Sequence, residues 1–241
     1  MSHNHDHVVD FDKFTDNYNA LLHQQTNFFA SSEAYFAQYK VDIVCEQVGR
    51  PVARILEYGC GIGRNISFLQ KAFPGAEIVG TDISAASIDM AAKENPGVKF
   101  YVEGDAAAPA LGQFDLIFIA GVFHHIPPSE RLGAAKNVLA RLAPGGEVFI
   151  FEHNPYNPVT RHLVNTCPYD EGVVLLTPPQ LRALLTQAGF AVQKRSYCLF
   201  IPARLKKLVA LERWLQWLPM GGQYWTKSVA ALANQPLQVA A

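Results

Sequence analysis

Short apolar runs alternate with stretches of helical spacing between residues 51 and 200. The apolar runs cover residues 53–58, 77–81, 98–102, 114–120, 147–151 and 190–200. Helical segments are expected to begin near Gly63, Ser84 and Pro128, because helix starts favour Gly, Ser and Pro. The alternation predicts βαβ units and an α/β fold, with a parallel sheet covered on both faces.

Further elements are predicted toward the two ends of the chain. Residues 10–50 carry aromatic and aliphatic side chains at helical intervals, which predicts two N-terminal helices. Thr177 and Gly189 are placed to cap the two ends of another helix. Residues 202–218 predict an amphipathic helix, and residues 223–233 predict a last strand. Gly145-Gly146 is expected to form the turn into the fifth strand.

Length and composition predict a single domain. The chain has 241 residues, 49% of them hydrophobic, and a formal net charge of -1. We expect a helical lid over 1–50, a cofactor-binding core over 51–200, a helical insertion over 201–220, and the last strand and tail over 221–241. The balanced charge argues against nucleic acid as a partner and favours a small-molecule substrate.

The cysteines and the N-terminus predict a cytoplasmic protein. The four cysteines form no CxxC pair, which is typical of a reducing compartment. The polar start shows no signal peptide, and no apolar run is long enough to span a bilayer. His3, His5 and His7 are interpreted as part of a frayed polar terminus.

A glycine-rich stretch lies directly after the first predicted strand. Gly59, Gly61 and Gly63 allow a tight turn and a close approach of the backbone to a ligand. Arg64 stands where a dinucleotide fingerprint needs Gly or Ala. Glu57 would repel a pyrophosphate but would favour a cofactor that carries positive charge. The stretch therefore predicts a site for a cationic cofactor.

Acidic residues follow the next two predicted strands. Asp82 is placed to accept hydrogen bonds from both hydroxyls of a ribose, and Ile83 offers an apolar face beside it. Asp105 follows the third strand, where a carboxylate can accept from an adenine amino group. The carboxyl ends of successive parallel strands converge on one edge of the sheet, so we expect one binding site there.

These motifs resemble those of the class I S-adenosylmethionine-dependent methyltransferases. The resemblance rests on ILEYGCGIGRN, IVGTDIS, VEGDA, FDLIFIAGVFHHI and LAPGGEVFIFE and covers about residues 50–190. It implies a Rossmann-like, doubly wound sheet of seven strands with the last one antiparallel, and S-adenosylmethionine as cofactor. By that similarity the cofactor contacts would be Glu57, Gly59, Gly61 and Gly63 for the methionine part, Asp82 for the ribose, Asp105 with Ala106 for the adenine, and Ala120 for the methionine end. Tyr18 is the expected contact from the N-terminal lid, whose other tyrosines are expected to pack in the core.

Histidines are predicted near the methyl acceptor. His124 and His125 follow the fourth strand, and His153 with Asn154 follows the fifth. Methyl transfer needs an aligned nucleophile and, where the nucleophile carries a proton, a base. His125 is the first candidate base; the alternative is that one histidine of the pair only shapes the loop. These three histidines, near Glu152 and Asp170, also permit a metal site, but no ligand spacing such as HxxxH among them supports one, so no metal is predicted.

The acceptor is expected to be a small, apolar or amphiphilic molecule methylated on oxygen or nitrogen. Cys167 and Asp170 either line its pocket or are ordinary loop residues. The segment 202–218, with Trp214 and Trp217 near its end, has two interpretations. It caps this pocket and contacts a membrane surface weakly, or it packs against the sheet or against a second subunit. The number of subunits is left open.

Three other functions compete with this prediction. The first is a non-catalytic S-adenosylmethionine-binding regulator, which would share the cofactor motifs. The second is a Rossmann oxidoreductase, which competition between NAD and S-adenosylmethionine for binding would identify. A nucleic-acid methyltransferase is disfavoured, because no NPPY or DPPY motif follows the fourth strand.

Overall fold

The computed structural model describes residues 33–105 and 110–231. One sheet of seven strands forms the centre of the molecule. The strands are β1 (Arg54–Tyr58), β2 (Glu77–Asp82), β3 (Lys99–Val102), β4 (Phe114–Ala120), β5 (Leu142–His153), β6 (Phe190–Cys198) and β7 (Gln223–Ala230). The α-helices are α1 (Glu33–Gln47), α2 (Ile66–Ala72), α3 (Ala85–Glu94), α4 (Arg131–Ala140), α5 (Pro158–Thr166) and α6 (Pro178–Ala188).

The strand order is β3-β2-β1-β4-β5-β7-β6. Strands β3, β2, β1, β4 and β5 pair in parallel, whereas β7 pairs antiparallel with both β5 and β6. The predicted doubly wound sheet with an antiparallel last strand is therefore confirmed. The order reverses between β1 and β4, and open α/β sheets bind ligands at the carboxyl ends of the strands beside such a reversal.

Two hydrophobic clusters pack against the two faces of the sheet. Successive residues of β1 point to opposite faces, so Ile55 lies in one cluster and Leu56 in the other. The cluster around Leu56 includes residues of α4 and α6, and the cluster around Ile55 includes residues of α1 and α2. Burial on both faces explains why the strands read as near-continuous apolar runs in the sequence.

Several predicted caps are confirmed. The Ser84 hydroxyl accepts a hydrogen bond from the Ser87 amide at 3.0 Å and begins α3. Thr177 and Gln180 form a capping box at the start of α6. Gly189 ends that helix in the left-handed conformation, with φ 104°.

Other boundaries differ from the predictions. Gly145-Gly146 does not form a turn before β5: the strand already begins at Leu142, and its pairing with β4 is irregular between Phe114 and Leu116. Gly145, with φ 72°, accommodates this irregularity. The helices predicted near 63 and 128 begin at Ile66 and Arg131, and β7 ends at Ala230.

The helical insertion predicted between β6 and β7 is present, but the prediction of one regular amphipathic helix over 202–218 was wrong. The segment instead forms 3₁₀ turns over Ala203–Trp214, with a kink at Leu205. The Glu212 carboxylate is buried and accepts the amide N–H groups of Leu199, Phe200 and Ile201, as well as the Tyr39 hydroxyl. Leu208, in the same segment, is exposed. We call residues 203–220 the insertion.

Helix α5 was not predicted from the sequence. Asn157 caps it by accepting the amide N–H groups of Val159 and Thr160, and Pro158 occupies the first turn. Asn followed by Pro is a helix start signal, but the preceding loop also contains Pro and Asn, which obscured it.

Some sequence predictions lie outside the described residues. These are the earlier N-terminal helix, the three histidines at positions 3, 5 and 7, Tyr18 and Ala106. Within the described residues, no helix has the length and apolar character needed to cross a membrane.

Candidate active site

One cavity of about 550 Å³ opens along the carboxyl ends of the parallel strands. Its size is within the range of small-molecule sites. The glycine-rich loop after β1, the end of β2 and part of α1 form one wall, which we call the cofactor wall. The loops after β4 and β5, helix α5 and the ends of β6 and β7 form the other, which we call the acceptor wall.

The glycine-rich loop brings bare backbone to the cofactor wall. The amide N–H groups of Gly59 and Cys60 both donate to the Thr81 carbonyl, at 2.7 and 2.9 Å, which ties the loop to β2. Gly59 has φ 71°, and a Cβ there would lie 2.4 Å from a methyl group of Val122. Gly61, with φ 51°, faces open space in the cavity. Gly63 is buried away from the wall, where a Cβ would lie 2.7 Å from the Asn95 amide nitrogen.

Asp82 lies on the cofactor wall at the end of β2. Its two carboxylate oxygens accept the amide N–H groups of Gly61 and Ser84, at 2.8 and 3.0 Å. Burial raises the pKa of this carboxyl above its usual value, and the backbone donors partly oppose the effect. A carboxylate has about four acceptor positions, so it can also accept ligand hydroxyls. Ile83 is 60% exposed beside it, also on the wall.

Glu57 lies behind the cofactor wall, fully buried. Its Oε1 accepts a hydrogen bond from the Asn65 side chain at 2.6 Å, and Oε2 has no hydrogen-bond partner. Burial raises the pKa of Glu57 to about 8, against the opposing effects of Asn65 and the nearby Lys40. Asn65, Lys40 and Arg64 themselves lie on the wall. Glu57 therefore does not line the cavity itself, but it holds the cavity-lining Asn65 side chain by this hydrogen bond.

Asp105 is exposed and is not part of the main cavity. It lines a smaller neighbouring cavity of about 400 Å³. Glu103 lines both cavities, and Arg141 binds its carboxylate with two hydrogen bonds of 2.5 and 2.8 Å. The structure therefore brings Glu103 to the wall where the sequence suggested Asp105.

The acceptor wall combines polar and apolar side chains from distant parts of the chain. His125, His153 and Asp170 supply ionisable groups. Glu130, at the end of the loop after β4, adds an acidic side chain, and the others are mostly apolar or neutral: Ile126, Pro127, Thr160, Leu163, Val164, Cys167, Leu199 and Gln223. Ala120, at the end of β4, lies on the wall beside the glycine-rich loop. Asn154 lies off the wall, because its buried side chain donates to the carbonyls of Pro219 and Gly221.

A buried network supports the acceptor wall from behind. Glu152 is completely buried and accepts the amide N–H groups of Val122 and Phe123 through Oε1. Its Oε2 lies 2.6 Å from His124 Nδ1. On the other side of the ring, His124 Nε2 lies 3.7 Å from Asp170 Oδ1, and His125 Nε2 lies 3.5 Å from the same oxygen. The network fixes the His124 ring and joins β5 to the Asp170 loop.

The three histidines have different electrostatic environments. Burial by itself lowers the pKa of His124, but the adjacent Glu152 and Asp170 raise it to about 9. Burial and the neighbouring His124 lower the pKa of His125 well below its usual value. The same two causes lower the pKa of His153 to about 4. The two imidazoles on the wall therefore favour the neutral form.

A comparison with protein-family models identifies the family to which the chain belongs. The family model described as "Methyltransferase domain" matches residues 13–195. The chain belongs to this methyltransferase-domain family. The predicted membership of a methyltransferase family is thereby confirmed.

Named relatives are similar over part of their length. The chain is 31% identical over 142 residues to trans-aconitate 2-methyltransferase of Variovorax paradoxus, covering 57% of this chain and 53% of that protein. It thus spans about half the length of that relative. Among solved structures, a TehB-like S-adenosylmethionine-dependent methyltransferase from Corynebacterium glutamicum has a TM-score of 0.60 and 18% identity, covering 91% of this chain and 97% of that one. An S-adenosylmethionine-dependent methyltransferase from Thermotoga maritima has a TM-score of 0.64 and 16% identity, covering 91% and 97% of the two chains. At these levels of identity, both similarities show a shared fold and nothing further.

The cofactor wall fits S-adenosylmethionine chemically. Asp82 offers acceptors for ribose hydroxyls, and the exposed Ile83 offers an apolar surface for a base. Lys40 and Arg64 offer positive charge for a carboxylate. The open space at Gly61 leaves room for backbone contact with a ligand.

Sequence reasoning did not identify several residues of the site. Lys40 lies in a helix whose aromatic spacing indicated only packing, although a lysine within such a stripe is a signal for a functional site. Thr160, Leu163 and Val164 were missed because α5 was missed. Glu152 was noted only as a neighbour of the histidines, because its burial depends on the pairing of β5 with β4 and β7.

Proposed function

We propose that the chain transfers a methyl group from S-adenosylmethionine to an oxygen or nitrogen of a small, uncharged molecule of apolar or amphiphilic character. The observation that carries this proposal is the continuity of the cavity: the cofactor wall and the acceptor wall enclose one space of about 550 Å³. A shared space allows the methyl donor and the nucleophile to meet without intervening water.

The residues of the cofactor wall have separate roles in this proposal. Asp82 holds the ribose hydroxyls, while Lys40 and Arg64 hold the carboxylate of the methionine part. Gly59 and Gly61 bring the backbone close to the ligand. Bound S-adenosylmethionine supplies a methyl group already activated by a sulfonium, so the protein mainly aligns the nucleophile and removes its proton.

The acceptor wall removes the proton from the nucleophile. His125 and His153 are the imidazoles on this wall, and His125 remains the first candidate as base. Asp170 Oδ1, 3.5 Å from His125 Nε2, orients that ring. His124 does not line the cavity and acts through Asp170, as a positioning residue.

The acceptor is proposed to differ from a polycarboxylate such as trans-aconitate. Among the described residues that line the cavity, the lysine and arginine side chains are Lys40 and Arg64, and Lys40 lies near both Glu57 and the buried Glu152. The acceptor wall carries Asp170 instead, which would repel an anionic acceptor. Its apolar side chains favour a substrate with an apolar body.

Cofactor binding is tested by calorimetry on the Asp82→Ala variant. We expect S-adenosylmethionine to bind the wild type and to lose roughly 2 kcal/mol or more of binding free energy in the variant, from lost charge-assisted hydrogen bonds. Asp89→Ala is the matched control, because Asp89 is exposed on α3 away from the cavity. Equal affinities of all three proteins would overturn the assignment of the cofactor wall.

Catalysis is tested by transfer of labelled methyl groups. The protein is incubated with labelled S-adenosylmethionine and fractions of neutral, amphiphilic and anionic metabolites. Label in a neutral or amphiphilic product supports the proposal, whereas label only in anionic products contradicts the assigned acceptor class. Tight cofactor binding without transfer to any fraction would identify a non-catalytic binding protein.

The insertion is proposed to contact an anionic membrane surface weakly. Trp214 and Trp217 are 66% and 76% exposed, so they do not cap the cavity as one sequence interpretation suggested. Lys207 and Arg213 are exposed beside them, and the insertion's acidic side chain, Glu212, is buried. Co-sedimentation with anionic but not with neutral vesicles would support this contact, and no sedimentation with either would remove it.

We also propose that the protein is located in the cytoplasm. No disulfide links the four cysteines, all of which are described, and this fits the reducing cytoplasm.

A further inference from the structure

We infer that His124, His125 and Asp170 bind a divalent metal ion of borderline softness, such as Zn²⁺ or Fe²⁺, at the acceptor end of the cavity. Each residue offers one ligand atom, and these atoms all lie within 4.8 Å of one another. The inference rests on the proposed function, because it places the ion beside the methyl acceptor.

The His124 ring provides the main evidence. Its side chain is 1% exposed, and its Nε2 is buried without a hydrogen-bond partner. That nitrogen faces Asp170 Oδ1 at 3.7 Å, beyond hydrogen-bond distance but within the range of an ion pair when the ring is protonated. A buried polar atom with no partner is costly, so its place beside a carboxylate requires an explanation.

Glu152 determines which nitrogen of His124 carries a proton. Its Oε2 lies 2.6 Å from Nδ1 and can only accept a hydrogen bond while it is ionised, so Nδ1 must be protonated. In the neutral ring, the lone pair of Nε2 then faces the Asp170 carboxylate. Two electron-rich groups in this arrangement need a cation between them, which is either a second proton on the ring or a metal ion.

The groups around this position also match the ligand set of a metal ion. A carboxylate hydrogen-bonded to the far nitrogen of a histidine is the usual support of a metal-ligating imidazole. His125 Nε2, 3.5 Å from the same oxygen of Asp170, supplies a second imidazole ligand. Two imidazoles and one carboxylate form the ligand set of many zinc and non-haem iron sites. Modest tightening of the cluster would bring all three atoms into one coordination sphere.

A metal ion here would define the chemistry of the acceptor more closely. Three protein ligands leave coordination positions open, and His125 and Asp170 both line the cavity. A hydroxyl group of the acceptor that coordinates the ion would lose its proton more readily. With the ion bound, His125 would act as a ligand and His153 would replace it as the imidazole that takes that proton; in metal-free protein His125 would keep the role of base.

Metal binding is measured directly on full-length protein. Because His3, His5 and His7 also offer imidazoles, all three are replaced by alanine in every sample. Chelator-treated protein is titrated with ZnCl₂, with Fe²⁺ under anaerobic conditions, and with MgCl₂, and the bound metal is counted by mass spectrometry after dialysis. We expect one Zn²⁺ or Fe²⁺ per chain and no retained Mg²⁺, which prefers oxygen ligands.

Variants locate the ion. Asp170→Asn should abolish retention of the ion, and Glu152→Gln should weaken its affinity about 10–100-fold by removing support from His124. Glu171→Gln is the matched control, because Glu171 is exposed next to Asp170 and lies outside the cluster. Circular dichroism and the melting temperature verify that each variant is folded.

The outcomes separate this inference from the proposed function. Absence of bound Zn²⁺ and Fe²⁺ in the parent protein, or equal retention by the folded Asp170→Asn variant, would overturn the inference and leave a proton as the cation at His124. Metal-free protein that still binds S-adenosylmethionine and transfers methyl groups would keep the proposed function. Retained metal without any cofactor binding would instead keep the metal site and overturn the proposed function.

Discussion

The two walls of the cavity are constructed in different ways. The cofactor wall depends largely on backbone: Gly59 and Gly61 adopt positive φ, and Asp82 accepts two amide N–H groups. The acceptor wall depends on side chains that come from residues far apart in sequence, such as His125 after β4 and Gln223 in β7. A backbone site requires glycines at fixed spacing, so it leaves a readable sequence signature. A site made of side chains can change its specificity by substitution, with the sheet unchanged.

The comparison predicts that variants of the two walls affect different steps. Acceptor-wall variants should lower turnover and spare cofactor affinity, whereas cofactor-wall variants should lower cofactor affinity. Electrostatic changes behind the cofactor wall should appear mainly in the pH dependence of stability.

The largest effect is expected for His125→Gln. Removing this imidazole from the acceptor wall should lower kcat by about 10²–10⁴-fold, the usual contribution of a proton-transferring side chain. S-adenosylmethionine affinity, measured by calorimetry, should remain nearly unchanged. His162→Gln, on the exposed side of α5, serves as the control. A parallel loss of stability and cofactor affinity in His125→Gln would show a structural histidine and remove the distinction between the walls.

A smaller effect, on binding rather than turnover, is expected for Gly59→Ala. The new Cβ would lie 2.4 Å from Val122 at φ 71°. The left-handed conformation costs roughly 1–2 kcal/mol, and overpacking adds about 1–3 kcal/mol. We expect cofactor affinity to fall at least about tenfold. Gly75→Ala provides the control, since Gly75 has φ 89° with open space around it and lies outside the cavity. Equal cofactor affinities in the two variants would show that the loop does not shape the cofactor wall.

The effect expected for Glu57→Gln lies in the pH dependence of stability, with no direct change in turnover. Burial raises the folded-state pKa of Glu57 to about 8, above its unfolded value of about 4.5. The folded protein therefore holds this proton more tightly, and the contribution of Glu57 to stability falls as pH rises from about 4.5 to about 8. Glutamine cannot titrate, so urea unfolding between these pH values should show a shallower decline in the variant. Glu94→Gln, at the exposed end of α3, should keep the wild-type slope, and an unchanged slope in Glu57→Gln would contradict the assigned pKa.

Much of the fold follows from local sequence patterns. Buried parallel strands require apolar runs, and the boundaries of β4 agree with the prediction from its run. The caps at Ser84, Thr177 and Gly189 were identifiable because each satisfies backbone groups through its own residue type. The insertion was not predictable, because its 3₁₀ turns depend on the burial of Glu212 against the end of β6, a tertiary contact with no local signal.

The residues of the candidate site can likewise be divided into those that local sequence patterns predict and those that depend on tertiary contacts. Asp82 and Gly61 reach the wall because the loop geometry itself places them there. Glu57 lies near the end of β1 and Asp105 follows β3, as predicted. However, Glu57 is buried behind Asn65, and Asp105 lines the smaller cavity. The distances between Asp170 and the histidines depend on the segment that follows α5, so strand and helix patterns could suggest Asp170 as a neighbour but could not determine the contact.

The central claim is that the two walls enclose the methyl donor and the acceptor in one cavity. A crystal structure of the full chain with S-adenosylhomocysteine tests it most directly. We predict the ribose hydroxyls on the carboxylate of Asp82 and the sulfur directed toward His125 and His153. A ligand bound in the smaller cavity beside Asp105, or one whose sulfur faces away from both imidazoles, would contradict the account.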